Sequence, residues 1–324
     1  MEIFWRFDDF KLPLQQKLLS IIKKKTMKKM FLVGLMLTTM LAAQAQLKVA
    51  PKMQKGDQKS YVTTTAIDIP GQGAVNINTE STLSVAEAKA DGFVLKLENT
   101  KVTSDAQDNN IAGKILAAAQ EMQTGIAILL ATDKDGKPLS ITNYADVKKQ
   151  IEVNSGQLID KMLTAAPQLE QMMPKDALKQ QLMASVTEEK LLNSLLWSVN
   201  PLALNGKTIM TGAQEEYVND QGIKMKRLYV VNGQSITATS SANLTKEETK
   251  KLIIEQVEKN APAQAEMIKQ NIDQVLDSGM LKIDMKETAT YDLQADGWIK
   301  SIKAENTNET MGQKLTVNTT VTLQ

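Results

Sequence analysis

The sequence predicts an α+β protein: a curved antiparallel β-sheet, half-barrel-like, wrapped around or covered by helices and laid out as two similar halves. Three observations predict it. Long segments alternate apolar and polar residues with period two, most cleanly Val75 to Val85 and Leu315 to Leu323. Segments between them repeat apolar residues at helical spacing. Asp-Gly and Asn-Gly pairs separate neighbouring strands, as hairpins require. A sheet with one apolar face must cover that face, and the helices are its natural cover.

The elements follow in order. A polar leader runs from Gln46 to about Lys59. Tyr61 to Ile69 is a Thr-rich strand, and Pro70-Gly71-Gln72-Gly73 turns the chain into Val75–Val85. Asp91-Gly92 turns it again into a strand opened by Phe93, Leu95 and Leu97. Asp105 to Met122 reads as a helix, followed by paired strands at Ile126–Ala131 and Leu139–Ile141 around Asp135-Gly136.

A helical stretch, residues 143–200, comes next. Asn143 is placed to cap it, with its side chain accepting from a free N–H of the first turn. Gly156 weakens the first helix and Pro167 stops it. Pro174 opens a second helix, and Thr187 caps a third that carries Leu191, Leu192, Leu195 and Leu196. Strands return at Lys207–Val218, Ile223–Val231 and Gln234–Ser241. Thr245 and Glu248 form a capping box that opens a helix split at Pro262 and closed by Ser278-Gly279. Three last strands begin at Leu281, Trp298 and Leu315.

The first 45 residues read as an address rather than as fold. Met27, Lys28 and Lys29 begin a basic segment, Phe31–Leu41 is apolar, and Ala43-Gln44-Ala45 is a cleavage signature. This predicts a signal peptide over 27–45, with cleavage after Ala45 and a periplasmic or secreted product. The apolar run falls short of the roughly 20 residues of a membrane span. Residues 1–26 read as an upstream extension. The mature domain, 46–324, has halves at 46–142 and 206–324 around the helical insert 143–200. Asp135-Gly136-Lys137-Pro138-Leu139-Ser140-Ile141 and Asp296-Gly297-Trp298-Ile299-Lys300-Ser301-Ile302 share Asp-Gly and Ser-Ile at the same spacing.

Composition removes several chemistries. The chain has no Cys and no His, so neither a Ser-His-Asp triad, a Cys-His pair nor the usual zinc ligand sets can be built. Of 38 basic and 37 acidic residues, 8 and 3 precede Gln46, which leaves 30 and 34. That mildly acidic balance argues against a nucleic-acid partner. Gly206-Lys207-Thr208 imitates the end of a P-loop, but Pro201 stands where the first Gly is needed and a strand follows. Asp133-Lys134-Asp135-Gly136 lacks the outer carboxylates of a calcium loop, with Ala131 and Thr142 in their places. Glu215 and Glu216, adjacent on a strand, point to opposite faces. No cofactor is implied.

What remains is binding. Met162, Met172, Met173 and Met183 lie on the central helices, and methionine adapts to irregular apolar partners. The same stripe serves equally as core packing against a sheet. Trp197 and Trp298 complete the candidate ligand-binding set; Trp298, after Asp-Gly, stands either at a cavity mouth or as an anchor of the sheet.

The signal segment, the Thr-rich strands and Tyr291-Asp292-Leu293 with Asp296-Gly297-Trp298-Ile299-Lys300-Ser301 resemble secreted or periplasmic proteins of Bacteroidota that are themselves uncharacterised. In plan only, the chain is similar to LolA/LolB-like lipoprotein-carrier half-barrels. That likeness implies a hydrophobic ligand held between sheet and helices, and it maps no binding residue onto this chain. The expectation is an exported, non-enzymatic binding protein for a lipid or acyl chain, with a lipid or lipoprotein as partner. The alternative is a structural or interaction protein of the cell envelope without a small-molecule ligand.

Overall fold

A computed structural model describes residues 45–69, 73–107, 110–165, 174–197, 199–219, 223–260, 265–277, 284–310 and 313–324. The upstream extension and nearly all of the expected signal peptide lie outside these residues, as do Met172, Met173, Pro167, Pro262 and Ser278-Gly279.

In chain order the described elements are β1 (Gln46–Lys48), β2 (Gln58–Ile69), β3 (Gly73–Ala88), β4 (Gly92–Ser104), α1 (Ile111–Glu121), β5 (Ala127–Asp133), β6 (Pro138–Ile141), α2 (Tyr144–Ala165), α3 (Lys175–Ser185) and α4 (Glu188–Trp197). They continue as β7 (Thr208–Met210), β8 (Gln214–Val218), β9 (Lys224–Asn232), β10 (Ser235–Asn243), α5 (Lys246–Asn260), α6 (Ala265–Asp277), β11 (Asp284–Leu293), β12 (Ile299–Thr310) and β13 (Gln313–Leu323). Eleven strands form one antiparallel sheet in the order β6-β5-β4-β3-β2-β13-β12-β11-β10-β9-β8, and β1 pairs with β7. The α+β class and the antiparallel sheet are as expected.

The half-barrel is corrected: the sheet stays open, with β6 and β8 as unpaired edges. Both edge strands are short. The backbone N–H of Ile141, which faces away from β5, is taken by the Glu188 carboxylate of α4 at 2.9 Å. That donor is therefore lost to any further strand.

Alternation decides which face is buried. Along β9, Met225, Arg227, Tyr229 and Val231 turn inward and their neighbours outward without exception. Cross-strand register carries the inner face sideways, with Val85 opposite Leu95 and Leu95 opposite Leu130. Leu95 and Leu130 are fully buried, each contributing roughly 1.5–3 kcal/mol by leaving water.

Helices cover this inner face in two places. At β2 and β3, Ile67, Val75 and Ile77 form a cluster against which Ala117 of α1 packs. The approach is close: a Cβ on Gly113 would meet the Val75 side chain at 2.5 Å, which accounts for a glycine inside a helix. At the β8 end of the sheet, Tyr217, Ile223, Met225, Ala242 and Met285 pack with Leu252 of α5 and Trp197 of α4.

Three sequence expectations change in detail. The first helix starts at Ile111, not Asp105, because Asn110 caps it by accepting from Gly113 N at 2.7 Å. Asn143 does not cap α2 with its side chain; that amide accepts from Leu129 N (2.9 Å) and donates to Ala127 O (2.8 Å) on β5. The leader is not merely polar. It is a strap in which Val49, Pro51 and Met53 are buried.

The strap joins distant parts of the fold. Lys52 N donates to Asp296 O (2.8 Å), Val49 N donates to Lys207 O (2.9 Å), and Lys48 pairs with Asp135 at 2.7 Å. Gly297 has φ +87°, and a Cβ there would sit 2.7 Å from the Ala50 carbonyl oxygen. Turn geometry and the strap both demand glycine at that position.

Candidate functional site

The inner face of β8–β11 gathers charge where the pattern calls for apolar residues. Register places Glu215 opposite Arg227, Arg227 opposite Ser240, and Ser240 opposite Glu287, in one row across four strands. Arg227 is only 1 % exposed. Its Nε donates to Ser240 Oγ (2.9 Å), and its Nη2 donates to the Trp197 carbonyl (3.1 Å) and to Glu287 (3.4 Å). Glu215 accepts from Lys207 Nζ at 3.1 Å and from the Tyr229 hydroxyl.

Aromatic rings close over this row. Trp197 stacks on Tyr217 with centroids 4.9 Å apart and planes 2° from parallel. The Arg227 guanidinium lies 4.3 Å from the Tyr217 centroid, and Lys207 Nζ lies 4.4 Å from that of Trp197. Each cation so placed is attracted to the ring face. Burial raises the Glu287 carboxyl above the ordinary glutamate range, partly opposed by Arg227. Burial also lowers the Lys207 ammonium, with Glu215 opposing. Desolvation and the Glu215 carboxylate together push the Tyr229 hydroxyl up, so it stays a neutral donor.

The sequence-predicted residues fall in separate places. Trp197 belongs to the charged row just described. Trp298 is 3 % exposed; its Nε1 donates to Lys52 O at 3.2 Å, so it anchors the strap. Met162 and Met183 are half-buried on α2 and α3. These helices run antiparallel, with Lys179 against Glu152, Lys175 against Asp160, and the Tyr144 hydroxyl donating to Val186 O. Met183 thus lies near the start of α2, whereas Met162 lies near its end, about 20 Å further along at 1.5 Å per residue. Glu215 and Glu216 do face opposite ways, Glu216 pairing outward with Lys226.

Arg227 and Glu287 were missed by sequence reasoning, which met Lys207 only as part of a rejected P-loop imitation. One signal existed: in Met225-x-Arg227-x-Tyr229 alternation already puts an arginine on the buried face. Nothing local marks Lys207 or Glu287, which join the row only through pairing and the strap.

A concavity of about 500 Å³ lies on the outer face of β11–β13, lined by Lys286, Lys303, Glu305 and threonines. Its lining is polar and it is on the opposite side of the sheet from Arg227. Among the described residues no cluster of His, Cys, Asp and Glu is arranged to hold a metal, and no helix is long and apolar enough to cross a membrane.

No family model matches the chain, and no curated protein matches it. Among solved structures, one described as "Lipid-protein interactions in lipovitellin" is similar over 84% of this chain at 10% identity, with a TM-score of 0.35. The chain spans 25% of that chain's length. A likeness at that level carries no argument about function.

Proposed function

We propose that the protein is an exported, non-catalytic binding protein that holds an apolar ligand, a lipid or an acyl chain, between its sheet and its helices. The observation that carries this reading is the incomplete cover of the helix stripes. In α3, Leu178, Leu182 and Met183 are all only half-buried. In α4, Leu195 is buried but Leu191, Leu192 and Leu196 are half-buried. In α5, Leu252, Ile253, Ile254 and Val257 are half-buried as well. An apolar stripe on a helix normally seats fully on its sheet. Three stripes left partly open supply the surface that a flexible hydrocarbon chain needs. The export in this reading rests on the basic, apolar and Ala-x-Ala pattern of segment 27–45.

Organic extraction of the purified protein, followed by mass spectrometry, tests this reading. The expected result is a recurring lipid recovered in near-stoichiometric amount. Protein that carries no lipid and takes up no acyl probe would overturn it. The envelope interaction protein would then be the better account, with Leu228 and Val230, side by side and exposed on the outer face of β9, as its contact surface.

A further inference from the structure

Arg227 is the anomaly of the inner face, and one edge of its guanidinium is incompletely used. Nε and Nη2 have acceptors, but Nη1 is buried without a hydrogen-bond partner, and its nearest opposite charge is Glu215 at 3.8 Å. Glu215 is already held by Lys207 and Tyr229. Nη2 meanwhile bonds the carbonyl of Trp197, the last residue of α4. One tine of the fork is therefore shared by a helix-terminal carbonyl and Glu287, and the other makes no hydrogen bond, only an ion-pair contact with Glu215. The ligand with two acceptor oxygens at the spacing of that fork is a carboxylate.

We propose that Arg227, with Lys207 beside it, is the seat for the carboxylate head of an acyl ligand. The end of α4 moves aside, and the two oxygens replace the Trp197 carbonyl on Nη2 and fill Nη1. This rests on the binding function proposed above and names its ligand class. Lys207 now lies over the Trp197 ring; once that ring withdraws, its ammonium faces the head group. Tyr217, Met225 and Met285 adjoin the row, with Leu252 of the half-covered α5 packed on them, and offer the hydrocarbon a path. Charge selects a monoanion. The row already holds two cations and two carboxylates, and the raised Glu287 carboxyl can take up the one proton that offsets a carboxylate. A phosphate dianion would leave charge uncompensated in a buried site.

The test compares a dansyl-labelled undecanoic acid with its methyl ester, titrated by fluorescence against the protein. The acid is expected to bind about tenfold more tightly, the margin of a charge-assisted hydrogen-bond pair. Arg227→Gln is expected to abolish that preference. Should Arg227→Gln fail to fold, Lys207→Gln at a partly exposed position decides, with a reduced preference expected. Equal affinity for acid and ester, or a preference untouched by the folded variant, overturns the head-group seat and leaves the apolar-ligand reading standing. Failure of both probes to bind overturns both.

Discussion

Glu287 faces Arg227 Nη2 at 3.4 Å, yet burial outweighs that neighbour and holds its carboxyl above the ordinary value of 4.5. The folded protein therefore binds this proton more tightly than the unfolded chain does. Its contribution to stability is complete below about pH 4.5 and is lost as pH rises through the raised folded value. Glu287→Gln keeps an acceptor for Arg227 and removes the ionisation. Thermal melts at stepped pH are expected to show the wild type losing stability relative to this variant as pH rises above 4.5. Parallel curves there would show that Glu287 ionises without cost. Lys207 runs the other way: burial lowers its ammonium, so its contribution is complete above 10.5 and is lost as pH falls through its folded value.

At the scale of the element, α4 matters most, because its two ends are fastened to opposite edges of the sheet. Glu188 holds Ile141 of β6, and Trp197 meets Tyr217 of β8 and Arg227 of β9. Trp197→Ala removes a ring stack and two cation–π contacts, together about 1–3 kcal/mol. Amide exchange in α4 is expected to quicken by about tenfold or more while α1 keeps its protection. Unchanged exchange in α4 would mean that its apolar stripe alone holds it down. How far such an element is legible in sequence depends on whether its signals are local. Thr187 does cap α4, accepting from Lys190 N at 3.2 Å, and Thr245 and Glu248 do close a reciprocal box. Those bonds span three residues, so the sequence carries them whole. Asn143 misled because the same side chain that suits a cap also suits the β5 backbone, and tertiary pairing won. The strap misled because Val49 and Met53, among lysines and glutamines, show no period. Arg227 shows the limit most plainly: alternation gives its face, but its partners come from three other strands and a helix.

At the scale of the molecule, the sheet is two runs of five strands with one strand between them. β2–β6 and β8–β12 appear in the same sequence across the sheet, and β13 fills the seam. Each run carries its helices after the third strand and an Asp-Gly turn between the fourth and fifth. The seam was not legible, since nothing in the alternation of Leu315 to Leu323 says that it pairs with both β12 and β2. Those pairings join the chain's extremes, Leu323 opposite Tyr61 and Thr316 opposite Asp68. Closing them requires most of the chain to be gathered first, so the molecule belongs with the slow, non-local folders that need about milliseconds to seconds. The seam also makes the two runs one cooperative unit. A chain ending at Thr310 would lose β13, expose the facing edges of β12 and β2, and break the sheet into two edged pieces. Urea titration is expected to show one transition for the full chain and either aggregation or two broad transitions for the shortened one. A shortened chain that unfolds in a single transition at the original midpoint would mean that strap and helices, rather than β13, hold the halves together.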